Sequence, residues 1–377
     1  MPRKTVFMFL LLFAALAFRT ASVAEPMTSY RPDYAKARVL NVESYEREEV
    51  NDVGYSSGFQ VVRLKILSGK YKGQTVSTTQ MLGSAMGVSM DDIKPGDKVV
   101  LFVDEYPAVE ESPDGSPVFH IADYARETPL YALALLYALL LIGVGGLKGL
   151  KSLISLVITI AVLFLFLFPL TLWGYNPLLL SVIISAIISF IVFRIIGGHS
   201  IKSLAAATGT TIGVAIAGLL AAVFGSMVHL TGMSSEEARI LLYSMNLNID
   251  YRGLVFGSIL IGALGAIMDV GMSIASSIDE VKRANPGADL RKLFDAGMNV
   301  GRDVMGTMSN TLILAYTGGA LPLLLLFIAN NASPLKILNL EMIAEEVIRA
   351  LAGSVGLVLC IPVTAIVAAF MYTRKRS

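Results

Sequence analysis

The stretch from Ser152 to Phe193, SLISLVITIAVLFLFLFPLTLWGYNPLLLSVIISAIISFIVF, contains no charged residue over 42 positions. A helix needs about 20 apolar residues to cross a bilayer, so this stretch is too long for one span. Its interior segment Gly174-Tyr175-Asn176-Pro177 is typical of a turn. The stretch therefore predicts two membrane helices joined by a tight hairpin.

The composition of the whole chain agrees with this interpretation. Of the 377 residues, 55% are hydrophobic and 16% are charged, whereas soluble domains carry about 25% charged residues. This composition excludes a disordered chain and argues against an ordinary soluble enzyme. No segment resembles the basic face of a nucleic-acid binder. We expect the lipid bilayer as a partner and no nucleic acid.

The N-terminus has the pattern of an export signal. Arg3 and Lys4 precede an apolar run, Val6–Phe18, that is too short for a span. Ser22-Val23-Ala24 then offers small residues for cleavage. The alternative is an uncleaved anchor. Either way, the residues that follow Ala24 are expected outside the cytoplasm.

Residues 25–128 are polar and strand-rich, with 17 acidic and 11 basic residues. Turn signals such as Lys94-Pro95-Gly96-Asp97 separate short alternating runs. The predicted strands are Ala37–Glu43, Phe59–Leu67, Gln74–Thr79, Lys98–Val103 and Val118–Asp123. Five short strands in about 100 residues favour a small β-barrel-like, OB-like domain.

Residues 129–377 have the pattern of a polytopic helical membrane domain. About seven transmembrane helices are predicted, at Pro129–Leu147, Ser152–Trp173, Pro177–Ile196, Ser203–Leu230, Gly253–Ser276, Val304–Ile328 and Ala350–Tyr372. One set of connections holds 12 Lys and Arg residues and the opposite set holds four. By the positive-inside rule the first set is cytoplasmic. The C-terminus is then cytoplasmic and the β domain extracytoplasmic, which agrees with the export signal.

Asp269 lies well inside the predicted fifth span. A charge there costs about 2.5–3.5 kcal/mol on insertion scales, which favours a proton- or ion-binding role over a structural one. The alternative is an ion pair with Arg302. The residues that share its helix face by three- and four-residue spacing are Ser258, Gly262, Gly265, Met272 and Ser276, with Ser273 at the edge.

The predicted sixth span carries a second polar face, made of Asn299, Asp303, Thr307, Asn310, Leu314 and Thr317. Because this span enters from the cytoplasm, its polar residues reach about the depth of Asp269. Gly318-Gly319 with Pro322 then predicts a helix break, and transporters bind substrates at such breaks. The candidate substrate- or ion-binding residues are Asp269, Ser273, Ser276, Asp303, Thr307, Asn310, Thr317, Gly318 and Gly319.

Packing alone is the alternative interpretation of these faces, because small residues at such spacing let membrane helices approach closely. The fourth span shows a third face of this kind, for which packing is the favoured interpretation: Thr208, Thr211, Ala215, Gly218, Ala222 and Gly225. An enzyme is not expected. Gly271-Met272-Ser273 resembles the start of an intramembrane serine-protease motif, but no histidine lies at matching depth. No metal-ligand cluster or cofactor motif is found in the sequence.

Two segments of the chain resemble the YibE/F-like family of bacterial membrane proteins. They are Gly262–Val270 (GALGAIMDV) followed by Ser273–Ser277 (SIASS), and Gly301–Leu312 (GRDVMGTMSNTL) followed by Ala315–Gly319 (AYTGG). The order of export signal, small β domain and several spans fits as well. The resemblance implies a bacterial inner-membrane protein and adds little on mechanism.

Two functions remain open from the sequence. The first is a permease for a small solute or ion, proton-coupled through Asp269, with the Gly318–Pro322 break as a hinge. The second is a membrane scaffold or accessory subunit whose acidic β domain docks an envelope partner. A homo-oligomer is compatible with both. The lack of an internal repeat weakens the first, since many carriers are built from inverted repeats.

Overall fold

A computed structural model of the chain describes residues 33–46, 58–82, 93–105, 116–243, 247 and 249–374. These residues fall into two compact units, divided between Leu139 and Leu140. The export signal predicted for residues 1–24 lies outside the described residues.

The N-terminal unit holds a five-stranded antiparallel sheet, and all five predicted strands are confirmed. The strands are β1 (Asp33–Glu46), β2 (Gly58–Ile66), β3 (Thr75–Leu82), β4 (Lys98–Asp104) and β5 (Val118–Tyr124). Their order is β3-β2-β1-β4-β5, so β1 pairs with both β2 and β4. The edge strands β3 and β5 also come into contact, which curves the sheet toward a half-barrel.

One face of the sheet forms the core of this unit. Val62, Leu64 and Ile66 on β2 are at most 1% exposed, while Arg63 and Lys65 between them face outward. This alternation follows from the two-residue period of a strand. The register shift between Val39 and Asn41 on β1 is a bulge at which Leu40 is exposed.

The rest of the described chain is helical. The helices are α1 (Glu127–Val162), α2 (Phe168–Leu172), α3 (Pro177–Gly197), α4 (Ile201–Met227), α5 (Glu236–Tyr243), α6 (Tyr251–Ala284), α7 (Leu290–Gly319), α8 (Leu321–Ala329), α9 (Pro334–Leu338) and α10 (Glu341–Arg374). A π-helical turn, Leu163–Leu167, joins α1 to α2.

The predicted hairpin between α2 and α3 is confirmed. Asn176 is the N-cap of α3, and its side chain accepts a hydrogen bond from the backbone N–H of Leu179 at 3.0 Å. Pro169 lacks the N–H that would continue the preceding helix, and the π-helical turn ends two residues before it, at Leu167. Pro362, by contrast, lies inside α10 without ending it.

The first two predicted spans lie on a single helical run, Glu127–Leu172, that is sharply kinked at Gly146. Gly146 has φ 54° and ψ −132°, a conformation that glycine adopts readily. Beyond the kink the chain turns back, since a Cβ on Gly149 would collide with the carbonyl oxygen of Leu141. In a straight helix these two residues would lie about 12 Å apart.

If each continuous helical run is counted as one crossing, the structure has fewer crossings than the seven predicted. Within the described residues, five helical runs are long and apolar enough to cross a membrane. The bent pair α7–α8 makes a sixth if it forms one crossing. The chain is therefore a helical membrane protein.

Close packing of α4, α6 and α10 forms the core of the helical unit. Ile267 and Ile274 of α6 and Leu357 of α10 are fully buried there. Gly213 of α4 lets α10 approach, because a Cβ at that position would lie 2.9 Å from the carbonyl oxygen of Gly356. Small residues thus set the distance between these helices, as they do in membrane bundles generally.

Candidate functional site

Asp269 lies on an uncovered face of α6. The helix begins at the N-cap Asp250, which accepts a hydrogen bond from the N–H of Gly253 at 2.8 Å. The predicted face members Ser258, Gly262, Gly265, Asp269 and Ser273 are all exposed, and Ser276 is half-buried. The opposite face of α6 is the buried one. The stripe predicted from helical spacing is therefore open around Gly265 and Asp269, whereas Gly262 lies against Tyr316 of the following long helix and Met272 is half-buried.

The predicted residues of the sixth span lie on α7 and α8. The N-cap Asp289 starts α7 by accepting from the N–H of Lys292 at 3.0 Å. The predicted site residues on this helix are all exposed: Asp303, Thr307, Asn310, Thr317, Gly318 and Gly319.

The packing of α6 against α7 fixes their relative register. A Cβ on Gly262 would lie 2.5 Å from Tyr316 Oη, and a Cβ on Gly297 would lie 2.7 Å from Ile278 Cδ1. The helices are thus antiparallel. Counting along each helix between these two contacts places Asp269 at the level of residues 306–309 on α7. Thr307 and Asn310 therefore share the depth of Asp269, as predicted.

Hydrogen bonding separates these polar residues into two groups. Thr307 and Thr317 donate to carbonyl oxygens of their own helix, each at 2.9 Å, which is the usual behaviour of a structural threonine. Asp269, Asp303 and Asn310 make no side-chain hydrogen bond or ion pair with any described residue. These three side chains are free to bind a ligand, and so are Ser273 and Ser276, which also make no side-chain hydrogen bond with any described residue.

The alternative pairing of Asp269 with Arg302 is absent from the described structure. The Arg302 guanidinium instead donates to Asn299 Oδ1 at 3.3 Å, one turn away on α7. Asp269 is therefore a carboxylate without a cation beside it among the residues that the structure describes.

The predicted helix break is present. The last residue of α7 is Gly319, α8 begins at Leu321, and the two helices meet at an angle of 60°. Pro322 occupies the first turn of α8, where its missing N–H removes no helical hydrogen bond. Both glycines of the break are exposed, and Thr317 lies directly before them.

The third small-residue face, on α4, packs against α6 at its two glycines. Gly218 is buried against Leu260 of α6, and Gly225 is buried against Phe256. Thr211 donates to the carbonyl oxygen of Ala207 in its own helix at 2.8 Å. These contacts support the packing interpretation favoured for this face.

Sequence reasoning missed a buried ionic cluster around Asp279. The predicted fifth span ended at Ser276, but α6 continues to Ala284 and buries Asp279 to 6% exposure. Tyr372 Oη donates to Asp279 Oδ1 at 2.6 Å, and Arg283 Nη2 lies 2.9 Å from Oδ2. Lys202 Nζ adds a longer contact at 3.9 Å. The buried Ile274 and Ile278 continue the helical period past Ser276 and were the available signal.

Beside this cluster lies a cavity of about 500 Å³. Residues from α3, α4, α6 and α10 line it, including Arg194, His199, Ser203 and Asp279. The part of the chain that the structure describes holds no group of three or more His, Cys, Asp or Glu residues placed to bind a metal.

Comparisons with known proteins identify the family. The family model described as YibE/F-like protein matches residues 133–374. Searches of curated proteins and of solved structures gave no match to the chain. The matched range contains the whole of α6 and α7, with both polar faces and the Asp279 cluster. Because the match covers more than half of the sequence, the chain belongs to the YibE/F-like protein family.

Proposed function

We propose that this protein is a permease for a small solute or ion, with Asp269 as a protonatable group on the path. The observation that carries the proposal is the uncovered carboxylate on α6. Placing such a charge in a span costs about 2.5–3.5 kcal/mol of insertion free energy. No ion pair or hydrogen bond with a described residue offsets this cost for Asp269. Intramembrane carboxylates of this kind serve as proton relays in transporters.

In this proposal the polar residues of α7 contribute to binding the solute, and the break between α7 and α8 acts as a hinge. Asn310 supplies an amide group close to the depth of Asp269 for a polar solute or ion. Asp303 supplies a carboxylate about one turn farther along α7, and Thr307 lies between them on the same face. The 60° break between α7 and α8 supplies the hinge, because non-helical backbone at membrane depth is tolerated where it lines a cavity. Gly318 and Gly319 can absorb the backbone rotation that such a hinge needs.

We further infer seven crossings in the bacterial inner membrane. The kink at Gly146 supports two crossings within Glu127–Leu172, since each half is about as long as a span. Lys148 and Lys151 directly follow the kink and fit a cytoplasmic turn. The order β3-β2-β1-β4-β5 supports an OB-like barrel outside the membrane, because closing β3 onto β5 would complete five strands.

We propose that a second copy of the chain packs against the polar faces of α6 and α7. In a monomer they would meet lipid, which offers no hydrogen bonds. A cysteine at Gly265, in a Cys360→Ser background, should cross-link two copies in the membrane. A cysteine at the exposed Leu219 of α4 is the matched control and should not.

Proton flux tests the permease proposal. We expect that liposomes containing the protein and an entrapped pH dye acidify when a potassium diffusion potential, negative inside, is imposed. Asp269→Asn should abolish this flux, because the amide cannot carry the proton. Asp295→Asn, which removes an exposed carboxylate from the first turns of α7, should leave it unchanged. Wild-type flux in Asp269→Asn at equal incorporation would contradict the role of Asp269.

The alternative proposal is a scaffold whose β domain docks an envelope partner. It is favoured by the acidic composition of residues 25–128 and by the exposed Tyr34 and Leu40 on β1. Deleting residues 25–128 while keeping an export signal distinguishes the two functions. Flux that survives the deletion supports the permease, whereas flux absent from the intact protein favours the scaffold.

A further inference from the structure

The cavity beside Asp279 lies where four helices meet at the ends that carry most of their basic residues. Its lining combines the last turns of α3, the turn into α4, and parts of α6 and α10. Asp279 is ten residues beyond Asp269 on α6, which is about 15 Å along the helix. The cavity is therefore distinct from the proposed transport site.

One cation in this cavity has no partner within the described part of the chain. Asp279 Oδ2 forms ion pairs with Arg283 and Lys202, and Asp279 Oδ1 accepts a hydrogen bond from the Tyr372 hydroxyl. The half-buried Arg194 lines the same cavity and makes no side-chain hydrogen bond or ion pair with any described residue. His199 and Ser200 add polar groups at its edge. The charge of Asp279 is thus balanced by its own partners, and Arg194 is the cation of the lining that has none among the described residues.

Part of the cavity lining is apolar. Phe190 is 54% exposed and lies one turn before Arg194 on the same face of α3. Leu204 of α4 is 43% exposed and lines the cavity as well. A charged group next to apolar side chains suits a ligand with an anionic head and a hydrocarbon tail.

We propose that this cavity binds a phosphate group, with Arg194 as its counter-ion. Guanidinium and phosphate form short, charge-assisted hydrogen bonds, often two at once. Basic pockets between membrane helices suit anionic phospholipid headgroups, and Phe190 and Leu204 can contact the acyl chain. The same phosphate chemistry is present in a soluble phosphate ester, and the experiment separates these two sources.

The test measures thermal unfolding of the purified full chain in a neutral detergent, followed by the fluorescence of its single tryptophan. The added probes are phosphatidylglycerol, phosphatidylcholine, inorganic phosphate and glycerol 3-phosphate. Ligands that bind the folded state raise the unfolding midpoint. We expect phosphatidylglycerol to raise it and phosphatidylcholine to leave it unchanged.

Variants then locate the site. Arg194→Gln should need about tenfold or more phosphatidylglycerol for the same shift, and Arg194→Lys should restore part of the response. Lys151→Gln removes an exposed cation outside the cavity and should respond as wild type. His199→Glu places an opposing charge in an exposed turn and should also weaken the response. If Arg194→Gln does not fold, the response of His199→Glu to phosphatidylglycerol tests whether the cavity is the binding site.

The pattern of shifts in the unfolding midpoint distinguishes a phospholipid from a soluble phosphate. A shift with phosphatidylglycerol alone assigns the site to a phospholipid. An equal shift with inorganic phosphate or glycerol 3-phosphate assigns it to a soluble phosphate. No shift with any probe, or wild-type responses in both Arg194→Gln and His199→Glu, would overturn the proposal.

Discussion

Asp269 and Asp279 lie on the same helix and have opposite surroundings. Asp269 is exposed and has no partner among the described residues, whereas Asp279 is buried among Arg283, Lys202 and Tyr372. A buried charge that is paired and hydrogen-bonded stabilises a particular packing, and an uncovered one needs a ligand or a second protein surface. The two residues therefore call for different measurements.

Removing the charge of Asp279 should destabilise the helical unit. In Asp279→Asn, Arg283 and Tyr372 lose their carboxylate partner in a buried site, which we expect to cost about 1–3 kcal/mol. Glu280→Gln, at the exposed neighbouring position, should cost nothing measurable. Thermal unfolding in detergent compares the two variants with the wild type. Equal midpoints for all three would show that the cluster contributes no stability.

The β domain offers a pH-dependent contact at Glu105. Hydrogen bonds from Lys70 Nζ at 2.8 Å and Tyr71 Oη at 3.0 Å hold the pKa of Glu105 below its ordinary value of 4.5. Its ionised form therefore stabilises the sheet above pH 4.5. That contribution is lost as the pH falls through the lowered pKa.

Glu105→Gln should remove this acid sensitivity. Hydrogen exchange of the β4 amides, compared between variant and wild type at the same pH, measures the difference. We expect weaker protection in the variant at pH 7 and a smaller difference at pH 3. The effect will be small, since exposed ion pairs contribute little. A difference that does not change with pH would contradict the assignment to Glu105.

At the scale of elements, glycines decide which helices touch. Gly213 of α4 faces Cys360 and Gly356 of α10, so the two backbones approach closely. In contrast, a Cβ on Gly143 of α1 would meet nothing within 4 Å. Two glycines in apolar helices therefore have different roles, which sequence spacing does not reveal.

A methyl group at these two glycines should have opposite effects. Gly213→Ala would place a Cβ 2.9 Å from Cys360 Cβ, and overpacking of this kind costs about 1–3 kcal/mol. Gly143→Ala should be neutral or stabilising, because alanine is the better helix former. Unfolding midpoints in detergent check both. An unchanged midpoint in Gly213→Ala would mean that α4 and α10 separate without cost.

At the scale of the whole molecule, the number of crossings and the positive-inside rule together determine which side each segment occupies. In the seven-crossing arrangement that we propose, the β domain is outside, and both Lys148 and the connection between α6 and α7 are cytoplasmic. If Glu127–Leu172 crossed only once, Lys148 would lie within the bilayer.

Cysteine labelling can decide this arrangement. In a Cys360→Ser background, a cysteine at Asp97 should react with a membrane-impermeant maleimide added to spheroplasts. Cysteines at Lys148 and Arg291 should react only after permeabilisation. A cysteine at Lys148 that stays unreactive in both conditions would contradict the seven-crossing arrangement.

Sequence patterns alone were enough to predict the five strands, the α2–α3 hairpin, the break after Gly319 and the polar stripe around Asp269. These features depend on local pattern: the period of a strand or helix, or a proline or glycine that interrupts it. Interactions between distant residues could not be predicted in this way. The three-dimensional packing was needed to show that Asp279 is buried against Tyr372, 93 residues away. It was also needed to show that Arg194 lines a cavity without a partner among the described residues, and that Gly218 packs while Gly265 stays uncovered. The physical reason is that burial and charge pairing depend on which helix faces meet in space, and helical spacing alone does not fix that.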